Sequence, residues 1–186
     1  MRNSIVYSKQ QPLIDTYKEH PDKAMITDYA KVEGKHFKDP LHTSLILNDE
    51  TQDRIDVGIH RAIGGLHDIA NPGDILCGAL ASCFESTLRM IANRLGIQLL
   101  NTSIVAKAMV DVRGTLQMSK TVPVGFQKMT LEISINAHED TKPYLISTLI
   151  KASEYSCVVY QTLKRALPIE LKVLTEVSQK IIVKEI

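Results

Sequence analysis

Apolar and polar residues follow two different periods along the chain, and the change of period predicts the order of its elements. Apolar residues spaced by three and four predict helices over 74–95 and 143–167, and a shorter helix is expected over 12–20. Alternation of single residues predicts four strands, over 41–47, 104–113, 130–135 and 169–173. A strand, a helix, an antiparallel strand pair, a helical pair and a last strand together indicate an α+β fold.

The helix over 74–95 is unusual because it is apolar around most of its circumference. Leu76, Leu80 and Cys83 form one stripe, and Cys77 and Phe84 belong to a second stripe beside it. A helix of this kind belongs in the centre of a fold or in a subunit interface. The helix pattern over 143–167 contains a predicted joint between two helices at 153–157, where serines offer N-caps.

Composition places the chain among ordinary soluble proteins. It has 186 residues, of which 44% are hydrophobic and 23% charged, which suits one domain with a sizeable core. The first forty residues are the most polar. We therefore predict a partly helical N-terminal extension over 1–40, followed by a single domain over 41–186.

Charge and cysteine content exclude several classes of function. The 22 basic and 21 acidic residues are dispersed and give a net charge of +1, which argues against nucleic acid or an anionic membrane as partner. We see no signal peptide, and no apolar run near the roughly 20 residues of a membrane span. Three cysteines do not make a secreted disulfide framework, so a cytoplasmic location is expected.

Taken alone, the thiols leave their chemistry open. Free cysteine is often a buried small hydrophobe, and this is the simplest interpretation of Cys77 and of Cys83. A nucleophilic thiol needs a nearby cation or a helix N-terminus to bring its pKa below the free value of about 8.5. Cys157 would gain such help if a second helix began at Ser156, but core packing is the simpler interpretation there too.

The remaining candidates have simple structural explanations. Asp74 lies at a helix start, where a carboxylate complements the helix dipole. Arg61 and Arg113 are single arginines, for which solvent exposure is the neutral interpretation. Six histidines lack the spacing of metal ligands, and the chain has no phosphate loop or dinucleotide fingerprint. No metal and no bound cofactor are therefore expected.

One group of residues resembles a known family. The segments Asn71-Pro72-Gly73-Asp74-Ile75-Leu76 and Ala79-Leu80-Ala81-Ser82-Cys83-Phe84 resemble the central helix of the OsmC/Ohr family, the osmotically induced and organic hydroperoxide resistance proteins. Gly64-Gly65, Gly125-Phe126 and Cys157 follow the family's order, and the resemblance covers about 41–173.

This resemblance implies a fold, an activity and roles for the two thiols. It implies an intertwined α+β homodimer with two central helices flanked by antiparallel sheets, and the reduction of small organic hydroperoxides. Cys83 would attack the peroxide and become a sulfenic acid, and Cys157 would resolve it as a disulfide. An external dithiol reductant protein, of the lipoyl type in the family, would then reduce the disulfide. An apolar pocket near the dimer interface would favour organic peroxides.

The chain departs from the family pattern beside the first thiol. The position after Asn71-Pro72 commonly carries a glutamate that orients a catalytic arginine, but here it is Gly73, with Asp74 next to it. The hairpin that normally supplies the arginine, over 33–38, has none, which leaves Arg61 as the nearest candidate. The second cysteine is followed by valine instead of proline.

Three functions therefore compete. The leading one is a thiol-dependent organic hydroperoxide reductase that uses Cys83 and Cys157. The alternative is a non-enzymatic dimer that acts as a binding or redox-sensing module, for which Gly73 and the missing arginine are the motives. A thiol–disulfide enzyme acting on proteins is third, because the apolar surroundings of Cys83 do not suit an exposed attacking thiol.

Overall fold

The computed structural model describes residues 4–33, 38–165, 167–177 and 180–185. Its helices are α1 Ile5–Glu19, α2 Pro72–Leu95, α3 Val112–Thr115, α4 Pro143–Ser156 and α5 Val158–Arg165. Its strands are β1 Ala30–Val32, β2 Thr43–Leu47, β3 Asp53–Val57, β4 Leu99–Met109, β5 Lys128–Ala137, β6 Lys172–Val177 and β7 Lys180–Glu185. They form three antiparallel sheets, in the orders β1-β2-β3, β4-β5 and β6-β7.

Helix α2 confirms the predicted central helix and has a strong signal at each end. The Asn71 side chain accepts hydrogen bonds from the backbone N–H groups of Gly73 and Asp74, and the Asp74 carboxylate accepts one from Asn71 N in return. This capping box satisfies N–H groups that have no partner inside the helix. Gly96 ends the helix in the left-handed conformation, at φ 70°, which a glycine adopts without strain.

The core lies where α2 packs between the β4–β5 sheet and α4. Alternate residues of the two strands point towards α2, and the register pairs Ile104 with Ile133. Phe84 and Leu88 of α2 and Leu149 of α4 are the large residues at its centre. The predicted antiparallel pair is therefore confirmed, although Val112 lies in α3 and not in the strand.

The helical pair at 143–165 is also confirmed, with the joint at Cys157. This residue has extended backbone angles, φ −75° and ψ 112°, and stands alone between α4 and α5. Its N–H donates to Ser153 O, and its carbonyl accepts from Gln161 N. Neither predicted serine takes the N-cap position of α5, because the break falls at Cys157.

Several elements differ from prediction. Strands β1 and β3 were not expected, the last predicted strand is shifted to Lys172–Val177, and a further strand, β7, follows it at Lys180–Glu185. Helix α1 begins at Ile5, well before the predicted position, because contacts with α2 support its first turn. The Asn93 side-chain oxygen accepts hydrogen bonds from Ser4 Oγ at 2.7 Å and from Val6 N at 3.2 Å.

Helix α2 also corrects one expectation about membranes. By length and composition it could cross a membrane, so the expectation that no apolar segment approaches that length does not hold for α2. The core helix of a soluble protein passes the same test. The packing of Phe84 and Leu88 against β4, β5 and α4 fits that second explanation.

Candidate active site

The two predicted thiols meet between α2 and the α4–α5 joint. The Cys83 and Cys157 sulfurs lie 3.4 Å apart, although the residues are 74 positions apart in sequence. That separation exceeds an S–S bond of about 2.05 Å, and both cysteines are free. A small movement of either side chain would bring the sulfurs to bonding distance, so the pair is placed for disulfide chemistry.

The two thiols differ in access to solvent. Cys83 is partly exposed on α2, whereas Cys157 is 0% exposed. Burial has the largest effect on the Cys157 thiol and raises its pKa. The nearby Cys83 raises this pKa further, whereas the backbone N–H of Tyr160, which donates to the Cys157 sulfur, lowers it. A buried thiol with a raised pKa is a poor first nucleophile. The geometry therefore suits Cys83 for attack and Cys157 for resolution.

No charged side chain among the described residues is hydrogen-bonded to either sulfur. Arg61 lies in an exposed 3-10 turn, Arg61–Ile63, and within the described part of the chain no hydrogen bond or ion pair joins it to Cys83 or Asp74. The catalytic role predicted for Arg61 therefore stays a prediction. The hairpin expected to supply an arginine falls partly outside the described residues, at 34–37.

The Asp74 carboxylate is engaged in the helix cap. Its Oδ2 accepts from Asn71 N at 3.0 Å and from Asn71 Nδ2 at 2.6 Å. These bonds hold Asp74 at the first turn of α2, more than two turns before Cys83. Its predicted participation in catalysis stays a prediction, and its contacts are those of a capping residue.

Gly73 stands where the family resemblance led us to expect a glutamate, and an aromatic ring occupies the space beside it. A Cβ at Gly73 would lie 3.1 Å from Phe126 Cζ and 3.0 Å from Asn71 Oδ1. A longer side chain at this position would have to displace Phe126 or leave the helix in another direction. The Phe126 ring therefore fills the space into which a side chain at position 73 would extend.

An apolar groove of about 430 Å³ runs from this point along α2. Leu76 and Leu80 line it from the same face of α2 that carries Cys83, and Tyr160 and Leu163 line it from α5. A smaller hollow of about 330 Å³ lies on the other side of the joint, with Cys157 in its wall. The groove offers an apolar body a place beside Leu80, about one helical turn from Cys83.

Three side chains near the joint were not singled out from the sequence. Tyr160 O–H and Lys164 Nζ both donate to Glu154 Oε1, each at 3.1 Å. The sequence offered one weak signal, since Glu154 and Tyr160 each lie three residues from Cys157, but this spacing does not predict that they contact each other. Among the described residues, no group of three or more His, Cys, Asp or Glu side chains could hold a metal ion.

Comparison with known proteins identifies the fold. The family described as OsmC-like protein matches residues 65–172. Among solved structures, an OsmC-like protein of unknown function from Vibrio cholerae is 13% identical with a TM-score of 0.60, over 74% of this chain and 94% of the other. An organic hydroperoxide resistance protein OsmC from Legionella pneumophila is 20% identical with a TM-score of 0.52, over 76% and 91%.

A third solved structure has a similar fold at a similarly low sequence identity. An organic hydroperoxide resistance protein from Elizabethkingia anophelis is 19% identical with a TM-score of 0.55, over 76% of this chain and 90% of the other. No curated protein matches the chain. At these identities, the likeness to solved structures concerns the fold.

Proposed function

Since this chain belongs to the OsmC-like protein family, we propose that it is a thiol-dependent peroxidase that reduces organic hydroperoxides to alcohols. The observation that carries the proposal is the 3.4 Å separation of the Cys83 and Cys157 sulfurs. Solved structures named organic hydroperoxide resistance proteins share the fold and support the same chemistry.

The proposed reaction has three steps. The Cys83 thiolate attacks the distal oxygen of the hydroperoxide, the O–O bond breaks, and the alkoxide takes a proton and leaves as an alcohol. The Cys157 sulfur then attacks the Cys83 sulfenic acid, which releases water and forms a disulfide. An external dithiol, of the lipoyl type or similar, takes the place of Cys157 in that disulfide and is itself oxidised as both thiols are restored.

The groove supports an organic peroxide as substrate. Leu76, Leu80 and Leu163 form apolar walls along the side of α2 that carries Cys83. Hydrogen peroxide would gain nothing from these walls, whereas the organic part of an alkyl or aryl hydroperoxide would be removed from water there.

We also propose that the chain works as a homodimer in the cytoplasm. Proteins of this family are generally dimeric, and they are soluble. Within one chain, α2 leaves Ala79 and Met90 exposed, although a helix so apolar is expected to be covered. A second copy would supply that cover.

Peroxide consumption tests the proposal directly. The wild type is expected to consume cumene hydroperoxide in the presence of a dithiol, and Cys83→Ser to consume none. Cys157→Ser is expected to stall as a sulfenic acid that dimedone traps, whereas Cys77→Ser, a matched control outside the pair, keeps its activity. Absence of consumption by the wild type, or equal rates in the wild type and Cys83→Ser, would refute the proposal.

A second candidate is a non-enzymatic dimer that serves as a binding or redox-sensing module. The position of Phe126 favours it, because its ring fills the space that a side chain at Gly73 would enter. The rate of Cys83 alkylation against pH separates the two candidates. A midpoint well below the free-thiol value of about 8.5 supports the enzyme, and a midpoint close to it supports the module.

A further inference from the structure

The position of Cys157 depends on a joint of a single residue. Helix α4 ends at Ser156 and α5 begins at Val158, so the backbone angles of Cys157 set the angle between the two helices. The same angles set where its sulfur lies. Disulfide formation tolerates little error, because the Cβ atoms must approach to about 4 Å with a defined torsion. Contacts that hold the joint therefore bear on the chemistry of the thiols.

Glu154 makes the side-chain contacts that cross this joint. From the last turn of α4, its Oε1 accepts hydrogen bonds from Tyr160 O–H and from Lys164 Nζ of α5, each at 3.1 Å. Its backbone oxygen also accepts one from Gln161 Nε2 at 2.8 Å. Three donors on α5 are thus held by one residue of α4, across the only non-helical position between them.

Tyr160 carries this constraint from Glu154 to Cys157. Its backbone N–H donates to the Cys157 sulfur at 3.5 Å, and its ring packs edge-on against Phe84, the neighbour of Cys83, at 6.1 Å between centroids. The Lys164 ammonium lies 5.6 Å from the centre of the same ring. Glu154 therefore acts on Cys157 through the position of Tyr160.

We propose that Glu154 is a positioning residue, which holds the α4–α5 joint through Tyr160 and Lys164 and keeps the Cys157 sulfur within reach of Cys83. Its importance for turnover rests on the proposed peroxidase function, but the pairing of the two thiols does not. In the family resemblance only the thiols, the arginine and its glutamate carry roles. Glu154 would be a further residue with a role, and it would act only on the resolving step, in which Cys157 attacks the Cys83 sulfenic acid.

Equilibrium with glutathione tests the pairing without peroxide. Glutathione disulfide oxidises the two thiols to the Cys83–Cys157 disulfide and is itself reduced to two glutathione molecules. At half-oxidation, the ratio [GSH]²/[GSSG] is the equilibrium constant of this exchange. The ratio is higher when the two thiols are better placed to form the disulfide. Glu154→Ala removes two hydrogen bonds and should lower that ratio about tenfold. Glu154→Gln keeps an oxygen for Tyr160 and should lower it about threefold.

The control is Glu132→Gln, which removes an ion pair with Lys107 on the exposed face of the β4–β5 sheet and should leave the ratio unchanged. Tyr160→Phe removes only the O–H donor and keeps the ring, so it carries the test if Glu154→Ala does not fold. A ratio in Glu154→Ala and Tyr160→Phe equal to that of Glu132→Gln would overturn the proposal.

Two rates separate positioning from a general loss of structure. Attack, followed as loss of the Cys83 thiol in a single turnover, should be unchanged in Glu154→Gln, while dimedone trapping of the sulfenic acid should increase because resolution is slower. Equal slowing of attack and resolution would contradict a positioning role. If the wild type consumes no peroxide but the glutathione ratio shifts as expected, the peroxidase proposal fails and the positioning role stands.

Discussion

Two regions of this protein join distant segments of the chain, and they do so by different physical means. At the thiol site, Cys83 meets Cys157 across 74 positions inside an apolar setting. At a second place, which we call the His42 clamp, the imidazole of His42 lies between the carboxylates of Asp39 and Asp68. Its Nδ1 is 2.8 Å from Asp39 Oδ2 and its Nε2 is 3.1 Å from Asp68 Oδ2.

The difference decides what each region responds to. The thiol site is held mainly by packing, with the Glu154 hydrogen bonds across its joint, so the volume of its neighbours should have the greatest control over it. The His42 clamp is held by charge: an imidazole donates from both nitrogens only when it is protonated, and the side chain of His42 is 30% exposed. Asp39 and Asp68 accordingly raise the pKa of His42, mainly through hydrogen bonds. The clamp should respond to pH and salt.

Removal of core volume is expected to have the largest effect. Leu149 is 0% exposed and packs in the cluster that contains Phe84 and Cys157. Leu149→Ala should lower the free energy of unfolding by about 2–5 kcal/mol, because a cavity remains. Urea titration at fixed protein concentration measures it. Tyr144→Ala, on an exposed position of the same helix, should change stability by only about 0.5 kcal/mol. Equal losses would mean that packing does not support this region.

Elements that bury a regular stripe of side chains could be predicted from the sequence, whereas elements defined by their pairing partners could not. The spacing of Leu76, Leu80 and Cys83 predicted α2, because a buried stripe leaves a period that can be read directly. Strand β3 was missed because four of its five residues are exposed and only Val57 is buried, so its pairing with β2 defines it.

The residues of the candidate site also divide into those that the sequence or the resemblance indicated and those that were missed. Pattern alone left both thiols as core residues, and their pairing was implied only by the family resemblance. Glu154 and Tyr160 were missed because they contact each other across the non-helical residue Cys157, where helical spacing gives no guide. The ring of Phe126 beside Gly73 depends on how the loop after α3 returns to α2, which no local signal specifies.

The start of α2 lies between the two regions and should give the next largest effect. Asp68 of the clamp lies three residues before Asn71, whose side chain caps the helix that carries Cys83. Asn71→Ala should cost about 1 kcal/mol of unfolding free energy, since an oxygen acceptor for the first N–H groups is lost. Asn71→Ser, which keeps such an acceptor, is the control and should recover most of that stability. A loss in Asn71→Ser as great as in Asn71→Ala would show that capping is not the cause.

A change of pH should act on the clamp, with a smaller effect. Because the folded pKa of His42 is raised, its stabilisation is complete below the ordinary histidine value of about 6.5 and is lost as pH rises through the folded value. The carboxyl pKa values of Asp39 and Asp68 are lowered, so their contribution requires a pH above about 4. The difference in urea midpoint between wild type and His42→Gln should therefore be greatest between these limits and shrink towards pH 9. A constant difference, or one that grows with pH, would contradict the clamp.

Salt should give the smallest effect and the sharpest contrast. Exposed charges are screened within about 3 Å at 1 M ionic strength, so the His42 pKa measured by NMR should fall towards its ordinary value as sodium chloride is added. The Cys83–Cys157 equilibrium, measured against the uncharged couple of reduced and oxidised dithiothreitol, should change much less. Among the described residues no charged group is hydrogen-bonded to either sulfur, and salt reaches the pair only through the exposed Glu154–Lys164 contact at the joint. A thiol equilibrium that shifts with salt as strongly as the His42 pKa would mean that charge, and not packing, holds the two thiols together.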